Sequence, residues 1–366
     1  MIAPNPIQSN LHWIQALRGI AALMVLFFHM APHWEIIPAL AIFTGVMKWG
    51  FSGVDIFFTL SGFVVYLSAK KSIPSGGFTQ FMKKRLLRIY LGYWPVLLLI
   101  AVVTVYCYEA DLPSTEKIIF STLLLYPNIW DNWLAPAWSL TLEIYFYLWI
   151  AIIILVAAKS PVKTIVTVIA LLAGWGLFWL LRDTEMVFEG QQPLRYLFTG
   201  LGIEFLAGAL VAEMYDRKHW LLGHGRWTIA SSILLMMVGV RIGMTSPYFD
   251  RVEVMRVATF GLAGLSALLL FLSLENTKLR PPAWLVAIGD ASYSLYLLHT
   301  FLLDASGRIR FENGIADGPA LLAFLLALPV CIILISLLWY RWVERPIMKA
   351  AQPLIQKRPH EAPNPI

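Results

Sequence analysis

Arg18, His29, Asp55, Glu143, Glu204 and His299 all sit at or inside long apolar runs. An ionisable group surrounded by hydrocarbon is costly, so such residues mark either a functional interior or structural ion pairs and helix ends. Arg18 and His29 form the sharpest pair. Eleven steps of about 100° fall about 20° short of or beyond three full turns, so both residues face one side of a helix, about 16 Å apart along its axis. They cannot touch. A cation low on the face and an imidazole higher up suit a long substrate laid along the helix. Of the side chains here, imidazole is the one suited to proton transfer near neutral pH.

The other polar groups fall into short patterns. In Phe-Ser-Gly-Val-Asp-Ile-Phe-Phe-Thr-Leu-Ser-Gly-Phe (51–63), Asp55 and Thr59 share a face. Ser139 and Glu143 do the same two spans later, in the fourth, and Ser292, Tyr296 and His299 follow at i, i+4 and i+7 in the ninth. Small residues in these patterns also serve plain helix packing. Between them lies Phe-Met-Lys-Lys-Arg-Leu-Leu-Arg-Ile-Tyr (81–90), where Arg85 and Arg88 sit at i and i+3. Two guanidinium groups on one face can grip phosphate. The same segment also reads as an anchor to anionic lipids.

The chain that positions these groups is a membrane protein. Its 366 residues are 59% hydrophobic and 14% charged, with 15 Trp, 14 Tyr and 21 Phe. A soluble domain carries about 25% charged residues, and aromatic rings collect at lipid–water interfaces. Ten apolar runs, near 12–32, 48–68, 90–108, 135–157, 162–181, 195–214, 227–245, 254–274, 284–304 and 319–342, read as transmembrane helices. The expected fold is an all-α, polytopic helical bundle forming one domain over residues 1–346. Residues 347–366 are a polar, Pro-rich tail expected to be disordered. With the N-terminus inside, 18 of the 28 Lys and Arg residues fall in inner segments and nine in outer ones, which places both termini in the cytoplasm. The net charge of +6 is read the same way, as topology and not as a nucleic-acid surface. Two cysteines cannot make a disulfide framework, and the seven histidines show no metal-ligand spacing within a helix.

Taken in order, these motifs resemble the acyltransferase 3 family of bacterial integral-membrane acyltransferases. The matching stretches are Leu-Arg-Gly-Ile-Ala-Ala-Leu with Arg18 and His29, Gly-Val-Asp-Ile-Phe-Phe-x-Leu-Ser-Gly-Phe, Lys-Arg-x-x-Arg-Ile-Tyr, Trp-Ser-Leu-x-x-Glu, Ser-Tyr-Ser-Leu-Tyr-Leu-x-His and Glu-Arg-Pro. The resemblance implies a protein of the bacterial inner membrane. It implies transfer of an acyl group, foremost acetyl from acetyl-CoA, to the hydroxyl of a saccharide or lipid-linked saccharide, with no metal. Family members with an appended hydrolase-like domain differ from this chain, in which transfer is expected to finish within the membrane domain.

The resemblance makes Arg18 and His29 the essential pair. His29 is expected to be the general base for the acceptor hydroxyl or a transient acyl carrier. Asp55 or Glu143, with Glu143 favoured, is expected to orient its imidazole. Arg18, Arg85, Arg88 and Tyr90 are expected to hold the CoA, and Trp138, Ser139, Tyr296 and His299 the acceptor. Membrane lipids are expected partners, and a homo-oligomer is left open. The rival readings are a transporter of a lipid-linked sugar or small anion, an acylase of a small-molecule glycoside, and a non-enzymatic assembly subunit.

Overall fold

The structure is a computed structural model that describes residues 11–109, 111–125, 132–156, 160–181, 199–217, 226–245 and 253–355. The described residues are helical throughout, with short loops between. The main helices are α1 (His12–Trp34), α2 (Pro38–Met47), α3 (Gly53–Val102), α4 (Trp138–Val156), α5 (Pro161–Leu181), α6 (Leu201–Asp216), α7 (Arg226–Thr245), α8 (Leu262–Glu275), α9 (Ala283–Asp290), α10 (Ser292–Glu312) and α11 (Gly318–Trp339). A one-turn helix, Glu253–Arg256, runs through the π-helical turn Val257–Gly261 into α8.

All ten predicted segments contain helix; among the described residues, fewer than ten are full spans. Six helices are long and apolar enough to cross a membrane, and the bent pair α9–α10, which turns by 74° between Asp290 and Ser292, makes a seventh. The shortfall has a local cause in α6, which at 16 residues is only about 24 Å long. α3 departs from regularity at Gly77, whose φ of 78° and ψ of 173° divide its 50 residues into two spans. The predicted disordered tail is helical over Arg345–Ala350 and Gln352–Ile355, and residues 356–366 lie outside the described residues. His219, His224 and Asp131 also lie outside them.

Between helices in lipid there is little hydrophobic driving force, so close packing must hold the bundle. Two glycine pairs supply it. A Cβ on Gly62 of α3 would lie 1.8 Å from the Phe205 carbonyl oxygen of α6, and one on Gly208 of α6 would lie 1.9 Å from that of Thr59. The same reciprocal approach joins Gly19 of α1 to Leu285 and Gly289 of α9 to Gln15. α1 has no cap of its own. Glu275, at the end of α8, accepts hydrogen bonds from the backbone N–H groups of Trp13 (2.6 Å) and Ile14 (3.2 Å). A carboxylate so placed satisfies orphan donors and complements the helix dipole. It also pins α1, which carries both Arg18 and His29, in register against α8.

Candidate functional site: two adjoining cavities

The Arg18 face of α1 opens on a cavity of about 150 Å³ lined by Arg18, Arg85, Arg88, Ser139, Glu143 and Tyr147 among others. Its three guanidinium groups are held differently. Arg88 is engaged by Glu344 at 2.7 Å, and Glu344 also accepts from the Ser294 hydroxyl at 2.5 Å. Arg18 and Arg85 have no ion-pair partner among the described residues. Arg85 lies over the rings of Phe81 (5.7 Å) and Tyr147 (5.8 Å), and its Nε meets no hydrogen-bond partner among those residues. Nor does the Ser292 hydroxyl, buried in the same wall. Uncompensated cations and orphaned donors together fit an anionic, hydrogen-bond-accepting group such as a phosphate.

The His29 face opens on a larger cavity of about 600 Å³, lined by His29, Lys48, Asn132, Trp138, Arg256 and His299, with Phe28 and Phe51 among its other walls. Val54 and Tyr296 line both cavities, so the two adjoin there. The first volume is below the roughly 300–1,000 Å³ of a pocket for a drug-sized ligand, while the second is within that range.

The histidines settle their own tautomers by their surroundings. His299 Nδ1 lies 2.7 Å from the Tyr296 carbonyl and 3.2 Å from that of Leu295, so it carries a proton and donates. In a neutral ring Nε2 is then an acceptor. That atom faces His29 Nδ1 at 3.3 Å, while His29 Nδ1 also lies 3.0 Å from the Val25 carbonyl. Two acceptors around one nitrogen require a proton on it. His29 Nε2 is therefore the unprotonated position, with its lone pair available as a base.

Several sequence expectations meet a different geometry. Neither acid orients His29. Asp55, fully buried, receives Arg256 Nε at 2.9 Å and Nη2 at 2.8 Å. Glu143 accepts from Ser61 at 2.8 Å and from Tyr147 at 2.9 Å, in the wall of the arginine cavity. The partner that orients His29 is His299, expected above to bind acceptor; it lines the cavity as well. Ser139 lines the arginine cavity and its neighbour Trp138 the imidazole cavity, so these two residues face different spaces. Tyr90 reaches neither. Its hydroxyl donates to the Leu124 carbonyl at 3.0 Å and its ring packs on Trp94. Glu204, 2% exposed, packs against Gly261 and stands outside both cavities. Arg256, Asn132, Lys48 and Glu344 were missed as site residues. Arg256 had a signal, because a buried Asp55 demands a cation, but nothing local said which one.

An all-α bundle of apolar helices with a cationic cavity beside an imidazole cavity fits one class, an enzyme of the membrane interior. Comparison with known proteins narrows it. Residues 11–340 match the acyltransferase domain family, and the chain belongs to that family. It is 26% identical over 312 residues to the exopolysaccharide production protein ExoZ of Rhizobium meliloti, covering 82% of this chain and 90% of that one. It is 24% identical over 317 residues to the peptidoglycan O-acetyltransferase OatA of Listeria monocytogenes, covering 78% of this chain but only 48% of OatA. It is 25% identical over 326 residues to the acyltransferase MdmB of Streptomyces mycarofaciens, with 81% and 80% coverage. No solved structure matches.

Proposed function

We propose that this chain is an acyl-CoA-dependent O-acyltransferase that moves an acetyl group from cytosolic acetyl-CoA to a hydroxyl of a cell-envelope or exported saccharide. The single observation that carries the reading is the shared wall at Val54 and Tyr296 between a cavity lined by three arginines, two of them without an ion pair among the described residues, and one lined by the hydrogen-bonded His29 and His299. The names of two relatives, an exopolysaccharide production protein and a peptidoglycan O-acetyltransferase, favour a saccharide acceptor. The basic-residue bias supports cytoplasmic termini and thus an arginine cavity nearer the cytosol, where acyl-CoA resides.

In this reading Arg18 and Arg85, helped by Arg88, hold phosphate and guide the donor's arm towards the junction. The narrower cavity suits an arm or a phosphate group, and the wider one a sugar unit. The donor supplies its acetyl group as a thioester. His29 Nε2 takes the proton from the acceptor hydroxyl as the oxygen attacks the thioester carbonyl. The C–O bond forms, the C–S bond breaks, and the imidazolium returns the proton to the leaving thiolate. His299 Nε2 accepts from His29 Nδ1–H throughout, which holds the tautomer and stabilises the transient charge. Direct transfer is the simpler of the two routes, with His29 lining the cavity that would receive the acceptor.

The test is full-length protein in liposomes with labelled acetyl-CoA and a panel of glycans. We expect base-labile label on a saccharide hydroxyl. Movement of sugar or anion across the liposome without any ester formed would replace this reading with the transporter.

A further inference from the structure

Asn132 stands just before the turn that starts α4, in the wall of the imidazole cavity, and is 9% exposed. Both ends of its amide, Oδ1 and Nδ2, are buried and meet no hydrogen-bond partner among the described residues. Leaving a buried polar atom unmatched destabilises the fold. Asn132 lines the cavity, and its amide, unmatched among the described residues, can be engaged by a ligand entering there once the side chain turns outward.

The chemistry of the match follows from the atoms. A primary amide presents an acceptor and a donor side by side. An oxyanion, or the carbonyl of the reacting thioester, would satisfy Nδ2 and leave Oδ1 orphaned. Complete satisfaction needs a ligand offering a donor and an acceptor on neighbouring atoms. Adjacent ring hydroxyls do so, and so does an acetamido substituent. Trp138 in the same wall offers a flat apolar surface of the kind that buries the C–H face of a sugar ring. The two cations of this cavity are already compensated, Arg256 by Asp55 and Lys48 by Glu35. Among the described residues, Asn132 is thus a group of this cavity whose hydrogen-bonding capacity is left unused.

We propose that Asn132 reads the acceptor, binding a pair of neighbouring polar substituents on a saccharide ring and so fixing which hydroxyl meets His29 Nε2. This assignment rests on the saccharide reading above. It adds that recognition is by a donor–acceptor pair and not by charge.

The experiment uses full-length protein in nanodiscs and a panel of methyl glycosides, with and without acetamido groups, and their monodeoxy analogues. Binding is followed by saturation-transfer NMR without donor, and transfer by labelled acetyl-CoA. We expect N132A to weaken binding of the preferred glycoside and raise its KM about tenfold, with kcat within twofold and the KM for acetyl-CoA unchanged. The monodeoxy analogue should lose the same factor on wild type and nothing further on N132A. The ligand-free N132A and N132L proteins should melt no lower than wild type, because they remove unmatched polar atoms; this separates recognition from a folding defect. Unchanged glycoside binding in N132A, a fall in kcat at constant KM, or no glycoside binding to wild type would each overturn the assignment. Binding that depends on Asn132 without any transfer would instead sink the enzymatic reading and leave the subsite standing.

Discussion

His299 Nε2 lies 3.3 Å from His29 Nδ1, and the Tyr296 and Leu295 carbonyls behind His299 fix the direction in which that hydrogen bond runs. A histidine, and not a carboxylate, backs the candidate base. The consequence is a base that is oriented without being made strongly basic, since a neutral ring attracts an imidazolium less than an anion does. H29A should lose at least 10²-fold in kcat/KM, in line with the 10²–10⁴ of a positioned acid–base group. H299A should lose less, about tenfold, and the double variant should be no worse than H29A alone. Glutamine at 299 keeps an acceptor for His29 Nδ1–H and should recover part of the loss, whereas leucine should not. Steady-state kinetics on the five variants decide it. Additive losses would mean that His299 acts independently of His29.

The Asp55–Arg256 pair predicts a different phenotype. Its bidentate geometry spans 201 residues and ties the start of α3 to the turn that leads into α8. Breaking a buried pair by removing one partner costs about 3–5 kcal/mol, because a charge is left uncompensated. D55N should therefore lower the melting temperature and yield in detergent, and the double variant D55N/R256Q should melt above D55N. The acid limb of the pH–rate profile should not move in D55N, since the pair does not touch His29. A displaced acid limb with unchanged melting would return the carboxylate to the imidazole.

The sequence carried the Arg18–His29 face, because helical periodicity is local and 3.6 residues per turn leaves little freedom over eleven positions. It also carried the need for partners at Asp55 and Glu143, but not their identity. Arg256 reaches Asp55, and Glu344 reaches Arg88, from far along the chain, through the packing of α3 against α8 and against the turn that follows α11. Tyr90 was a misreading that periodicity alone could have prevented. It stands two residues from Arg88 and five from Arg85, hence about 200° and 140° round the helix from them, on the far side from the cavity. The number of spans is less legible for another reason. Hydropathy reports apolar content, and a helix such as α6, sealed against α3 by Gly62 and Gly208, is apolar because protein surrounds it.

The three arginines should separate by their partners. Arg18 and Arg85 have no ion pair to lose among the described residues, so R18A and R85A should weaken CoA binding with little change in melting temperature. Arg88 is shared with Glu344, so R88A should lower both affinity and melting temperature. R85K should not restore CoA affinity, because lysine lacks the planar fork and stacks poorly on Phe81 and Tyr147. Titration calorimetry with CoA, paired with thermal melts, reads each arm. Equal affinity in wild type, R18A and R85A would make this cavity a structural cluster or a lipid contact.

The last prediction concerns the junction. Val54, 8% exposed, and Tyr296 are the residues common to both cavities, so the donor's reactive end has to pass them to reach His29. Enlarging Val54 narrows that passage without touching an arginine or an imidazole. V54F should therefore abolish transfer by more than tenfold while CoA binding by calorimetry stays within about threefold. Overpacking a tight site costs about 1–3 kcal/mol, so some loss of melting temperature is expected. V54A, which opens the junction instead, controls for that loss: it should cost stability through the space it leaves, yet retain transfer. If V54F transfers acetyl as well as V54A does, the donor does not cross at Val54, and the two cavities do not form one path.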